Sequence, residues 1–149
     1  MGKITRMAAA PSHALEIARL FRTVRQISMF YLPALHTAEE DEKFFRDHVF
    51  TVNEVAIALH DEKIIGFCAF RQGWIDHLYV LPAFHGRGIG TMLLAKPMEK
   101  YPELELWVFQ KNEQARKFYE RRGFVLAETT DGSGNEEREP DARYRWSRK

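Results

Sequence analysis

Two apolar runs, "EVAIALH" (residues 54–60) and "KIIGFCAF" (residues 63–70), are separated only by the turn-like "DEK" that begins at Asp61. Both are rich in β-branched and aromatic residues, which favour a pleated, half-buried surface. Strands joined this tightly leave no room for a crossover helix, so they must pair antiparallel. "WIDHLYVLP" follows as a further strand, stopped by Pro82.

The remaining pattern alternates helices with strands. "KITRMA" reads as a short first strand. Pro11 and Ser12 open an amphipathic helix, with Ser12 as its N-cap and Leu15, Ile17, Ala18, Leu20, Phe21 and Val24 at helical spacing. That pattern breaks near Pro33, and Thr37 with Glu40 forms a capping box for a second helix whose inner side carries Phe44, Phe45, His48 and Val49. "TMLLAKPMEK" is a helix that Pro97 should kink or end early. "LELWVF" is the next strand, and Asn112 caps a helix that Gly123 closes. "FVLAET" and "ARYRWS" are two last strands around "TDGSGNEEREPD". With no repeat and no linker, residues 1–149 read as a single α+β domain on a mostly antiparallel sheet.

Composition excludes several function classes. A net charge of +1 gives no global attraction to nucleic acid or to an anionic membrane. No apolar stretch approaches the ~20 residues of a membrane span, and the N-terminus lacks a signal-peptide core. The single cysteine, Cys68, lies in an apolar run and reads as a buried filler, so the expected location is cytoplasmic. The six histidines show no metal-ligand spacing, and no metal is expected. Nothing fixes the oligomeric state, and a homodimer is compatible with the sequence. The terminal "RYRWSRK" alternates as a strand does, with Tyr144 and Trp146 inward and arginines outward.

"FHGRGIG", residues 84–90, is the stretch that carries chemistry. Its three glycines would weaken a helix or strand by about 1 kcal/mol each, so they either turn the chain or bare the backbone for a ligand. It is neither a dinucleotide fingerprint, because Gly-x-Gly-x-x-Gly needs glycine at the position after Gly90 and Thr91 stands there, nor a Walker A loop. Its context is strand, loop, helix. First-turn amides there lack intrahelical partners and sit at the positive end of the helix dipole, a combination that binds phosphate. Arg87 adds a forked cation.

In this context "LYVLPAFHGRGIGTMLL" resembles the cofactor motif of the GNAT superfamily of acetyl-CoA-dependent acyltransferases, Arg/Gln-x-x-Gly-x-Gly/Ala entered through Val-x-Pro, with His85 where Arg or Gln is usual. A second family element, "NxxAxxFYxxxGF", runs from Asn112 to Phe124. The resemblance covers the chain from about Val55 onward. It implies a three-layer α/β/α fold, a mixed, mostly antiparallel sheet with a splayed central strand pair, and acetyl-CoA as cosubstrate. It further implies that backbone groups of Leu78, Tyr79 and Val80 meet the pantetheine arm. Amides of Gly86, Arg87, Gly88, Ile89, Gly90 and Thr91 would hold the pyrophosphate, with His85 and Asn112 beside the cofactor and Tyr119 facing the sulfur as general acid.

Direct attack by an amine needs a neutral amine. A lysine-like amine of pKa about 10.4 is only about one part in a thousand neutral near pH 7.4, a deficit of roughly 4 kcal/mol, so a proton acceptor is the most useful group to find. Asp76 and His77 adjoin on one strand and point to opposite faces. Asp76 shares parity with Leu78 and Val80, His77 shares it with Tyr79, and a bulge would reverse the assignment. Asp76 is the first choice to face the amine, His77 the second. Some relatives carry a catalytic glutamate where this chain has Trp107. The acidic connection after the sixth strand, with Glu136 and Glu137, would draw a cationic amine. Phe30, Tyr31 and Trp74 are available as an apolar wall for it. The expected function is therefore acetyl transfer to a primary amine of a small cationic molecule. Protein lysine or N-terminal acceptors, and a non-catalytic acyl-CoA-binding module, stay open.

Overall fold

A computed structural model of the chain describes residues 2–149. The hairpin closes through Asp61 (φ 51°) and Glu62 (φ 69°). Two positive φ angles in a two-residue turn match the twist of the strands it joins. Those strands, β2 (Glu54–His60) and β3 (Lys63–Arg71), pair antiparallel. β1 (Ile4–Ala8) lies outside β2, and β4 (Trp74–Val80) lies on the other side of β3. The sheet continues with β5 (Glu103–Phe109), β7 (Asp141–Ser147) and β6 (Val125–Thr129), in the order β1-β2-β3-β4-β5-β7-β6. Among the described residues β4 and β5 are the one parallel pair, joined at a single register position, Trp74 opposite Glu105. Beyond it they part, giving the splayed centre that the resemblance implied.

Helices cover both faces. α1 (Ala14–Ser28) and α2 (residues 38–52) bury Ile17, Val24, Phe45 and Val49 against Ile57 and Phe67 of the sheet. α3 (Ile89–Lys100) and α4 (Glu113–Arg121) close the other face over Ile65, Phe70, Leu106 and Tyr144. Alternate residues of β2 and β3 serve the two cores, so both helical layers are built on one sheet.

Local chemistry departs from the sequence expectations in four places. Ser12 does not cap α1: Pro11–His13 forms a 3-10 turn, and the His13 ring Nδ1 accepts the Ala10 amide at 2.9 Å instead. α3 continues through Pro97 to Lys100 rather than ending early, because the proline lies in the last turn, where its missing amide costs one hydrogen bond and no further helix. The Thr37–Glu40 capping box forms as expected, but α2 changes gauge, being α-helical over Ala38–Phe44, π-helical over Phe45–Val49 and α-helical again over Phe50–Val52. In that wider turn Phe45 and Val49 reach the core, whereas Phe44 and His48 stack on each other outside it, ring centroids 5.3 Å apart. Finally, Ala69 pairs with His77 while Phe70 pairs with Ile75, so Asp76 is the extra residue of a bulge. Ile75, Leu78 and Val80 then share the α3 face, while His77 and Tyr79 turn toward α1 and α2.

Phe45 pins α2 to the sheet, fully buried with its ring edge-on to Phe21 and Phe67. Phe45→Ala should lower the unfolding free energy by about 3–5 kcal/mol, measured by urea denaturation.

Candidate active site

The glycine stretch joins β4 to α3, and its glycines divide by role. Gly86 (φ 79°) and Gly88 (φ 77°) adopt the left-handed conformation, and a Cβ on either would meet nothing within 4 Å. Gly90 differs, since a Cβ there would lie 3.0 Å from the Phe118 ring of α4. Gly90 therefore lets two helices touch, and only the other two bare the backbone on the open side. Gly88 caps α3 without any side-chain hydrogen bond, and the first bond into the helix is Met92 N–H to the Gly88 carbonyl at 3.0 Å. The amides of Ile89, Gly90 and Thr91 are left as free donors at the positive helix end, although the Ile89 side chain itself is buried. Arg87 lies over the Phe84 ring at 5.1 Å, and the Thr91 hydroxyl accepts a hydrogen bond from Arg122.

His85 braces this loop. Its Nε2 lies 3.0 Å from the Val80 carbonyl, and its Nδ1 lies 3.4 Å from the Gln114 amide nitrogen. A carbonyl can only accept, so the ring carries its proton on Nε2 and receives the Gln114 N–H at Nδ1. The end of β4 is thereby tied to α4. Asn112 caps α4 by accepting the Ala115 amide at 3.3 Å, which leaves its own NH₂ group unused. Tyr119 is buried between Phe118 and Phe124, and burial, with Cys68 and Tyr79 nearby, pushes its hydroxyl well above the ordinary phenol range. Burial likewise pushes the Cys68 thiol up and leaves it inert.

On the opposite face of β4, α1, α2 and the connection between β6 and β7 enclose a cavity of about 810 Å³. His77 forms part of its wall, edge-on to Phe21 and Phe44 at 5.8 and 5.9 Å and tilted against Phe45. Burial among these rings pushes its pKa down to about 4, against the pull of Asp76, with the Arg25 and His48 charges acting in the same direction as burial. Asp76 itself is engaged elsewhere: Arg71 donates to it at 2.7 and 3.2 Å and Asn53 at 2.8 Å. Burial would raise its carboxyl, but these bonds and the Arg71 charge outweigh it and hold the group below its ordinary range. Glu136 and Glu137 do line the cavity, paired with His36 at 2.5 Å and Arg25 at 2.9 Å. Phe30 lines it too, whereas Trp74 sits at the foot of the β4–β5 gap with Arg71 over its ring. The Tyr31 hydroxyl is buried without a partner among the described residues, with Lys111 over its ring.

Residues 21–124 match the acetyltransferase (GNAT) family. The chain belongs to that family. YiaC of Escherichia coli K12, a peptidyl-lysine N-acetyltransferase, is 35% identical over 69 residues, covering 46% of this chain and 47% of YiaC. The chain spans about half the length of the curated relatives it matches. Solved structures agree over the whole fold. Apo YjaB from Escherichia coli has a TM-score of 0.78 at 21% identity, covering 99% of both chains. The PaiA N-acetyltransferase of Thermoplasma acidophilum, in complex with coenzyme A, has a TM-score of 0.76 at 18% identity over 97% of this chain and 99% of that one.

Within this GNAT domain, several cavity residues carry no motif. Phe21 and Arg25 stand four apart on α1, a spacing that marks a shared face, but nothing in the sequence says which cavity that face meets. His48 reads as an inner-face residue until the π turn is known. Among the described residues, no group of three or more His, Cys, Asp or Glu side chains is arranged to hold a metal, and no helix is long and apolar enough to cross a membrane.

Two outcomes follow from this geometry. Gly88→Ala should weaken coenzyme A binding at least tenfold and, because its φ is positive, also lower the melting temperature, whereas Gly90→Ala should lower the melting temperature with a smaller loss of affinity; calorimetric titration separates them. His77 is held neutral in the fold while the unfolded chain takes up a proton near pH 6.5. Its contribution to stability is complete above about pH 6.5 and is lost as pH falls toward 4, by about 3 kcal/mol at most. His77→Phe should flatten the stability–pH curve across that window, read by urea denaturation.

Proposed function

We propose that the chain transfers an acetyl group from acetyl-CoA to a primary amine by direct attack. The observation that carries this is the meeting of two sites across β4, with a bare-backbone anion cradle at the N-terminus of α3 on one side and a cavity walled by His77 on the other. Gly86 and Gly88 leave open the space that a pyrophosphate needs, and the parted strands leave backbone groups of Leu78, Tyr79 and Val80 for an extended arm, so the residues fit the cofactor. When bound, acetyl-CoA supplies the activated acyl group and a thiolate leaving group. Amides from Gly86 to Thr91, with Arg87, would hold its pyrophosphate, braced by His85, and the free NH₂ of Asn112 would bond it from α4.

Tyr119 keeps its proton firmly, so its role is to donate a hydrogen bond to the departing sulfur and to release the proton late. Of the two neighbours on β4, His77 is the better placed for the acceptor, since Asp76 is held by Arg71 and Asn53. The neutral imidazole can accept a hydrogen bond from the amine and so orient its lone pair.

Five carboxylates line the cavity (Glu40, Asp41, Asp47, Glu136, Glu137) against three permanent cations (Arg22, Arg25, Lys43). That excess supports a small cationic amine. A peptide lysine is the second reading, favoured by the activity named for YiaC.

Amine-dependent release of free CoA across an amine panel separates catalysis from a binding module, and mass shifts of acetylated peptides identify a protein acceptor. Tyr119→Phe should lower kcat about 10–100-fold with the acceptor KM nearly unchanged. Unchanged turnover at every pH would remove its acid role.

A further inference from the structure

We infer that His48 takes up the proton of the incoming ammonium at the mouth of the acceptor cavity. The inference rests on the acyl-transfer function proposed above and adds a residue to it.

Its ground is the state of every other basic group on the cavity wall. Asp41 is bonded to Arg22 at 3.0 Å, Glu137 to Arg25 at 2.9 Å and Asp47 to Arg46 at 3.1 Å. Glu136 and His36 hold each other, and Glu40 accepts the Thr37 amide in its capping box. Arg22, Arg25 and Lys43 already carry their protons. His77 is enclosed by Phe21, Phe44 and Phe45, an apolar inner end that admits a neutral amine more readily than an ammonium.

His48 is the exception. It is exposed, lines the cavity and stacks on Phe44 within 20° of parallel, and its ring makes no ion pair or side-chain hydrogen bond among the described residues. The Phe44 ring spans the two imidazoles, 5.3 Å from His48 and 5.9 Å from His77. The π turn makes this placement, and such turns cluster at functional sites. Sharing the cavity wall with His48 are Glu40, Asp41, Lys43 and Asp47 from its own helix, Arg22 and Arg25 from α1, His77 from β4, and His36, Glu136 and Glu137.

In the step, one ammonium N–H bond breaks with its electron pair left on nitrogen, and the proton bonds to the unprotonated imidazole nitrogen, which returns it to solvent. The neutral amine moves past Phe44 to His77. Its lone pair forms the C–N bond to the acetyl carbon, the C–S bond breaks with its pair on sulfur, and the second nitrogen proton balances the thiolate.

The test uses the full chain, acetyl-CoA and the best acceptor of the wild type, with His48→Ala and His48→Gln assayed from pH 6 to 9. The expected result is kcat/KM about 10–100-fold lower near pH 7, with the gap closing as pH approaches the acceptor's own pKa. Added imidazole should restore activity to His48→Ala, while melting temperature and CoA affinity stay at wild-type values. A loss that is uniform across pH and insensitive to imidazole, or no loss at all, overturns the assignment. If the wild type releases no CoA with any amine, the acyl-transfer function itself fails and this inference with it.

Discussion

The parting of β4 from β5 is the constraint around which the molecule is organised. Parallel neighbours joined at one position cannot satisfy one another's backbone groups beyond it, and buried backbone groups need partners. Part of that need is met from outside the sheet, as where His85 donates to the Val80 carbonyl. The two halves of the sheet are held by separate means. β1 to β4 form an antiparallel block under α1 and α2. β5, β7 and β6 form another, with Arg143 bridging Glu105 and Glu128 on its outer face. α3 and α4 bridge the halves beneath the gap, and Gly90 against Phe118 is where the two helices are closest to interference. A cleft in the middle of a sheet is stable here because its underside is continuous.

How much of this was legible depended on the range of the interaction that decides each feature. The hairpin, the Thr37–Glu40 box and the Asn112 cap are settled within four residues of sequence, and all three form as read. Ser12 failed as a cap because the chain already turns at Pro11, which puts Ser12 inside a 3-10 turn and His13 at the start of α1. The glycine cradle was visible as a pattern, yet the pattern treated its three glycines alike. Only the position of α4 separates Gly90, a packing residue, from Gly86 and Gly88.

The acceptor side was far less legible. Its walls come from α1, α2 and, more than 80 residues later, the connection between β6 and β7, segments that meet only after folding. The acidic run around Glu136 and Glu137 was apparent, but not that Arg25 and His36 would answer it. Asp76 and His77 could be named as a pair. Their division of labour turned on one bulge, and a bulge leaves no reliable trace in an alternating strand pattern.

The gauge of α2 has a consequence for how such a cavity can change. A π turn closes one residue more than an α turn, so removing a single residue between Phe45 and Val49 would restore ordinary helix. The α turns on either side would keep their faces, because the wide turn takes up its extra residue locally. Only the residues of the wide turn itself, His48 among them, would be re-aimed. The part of the acceptor surface that Asp47 and His48 supply is therefore set by chain length as well as by side-chain identity.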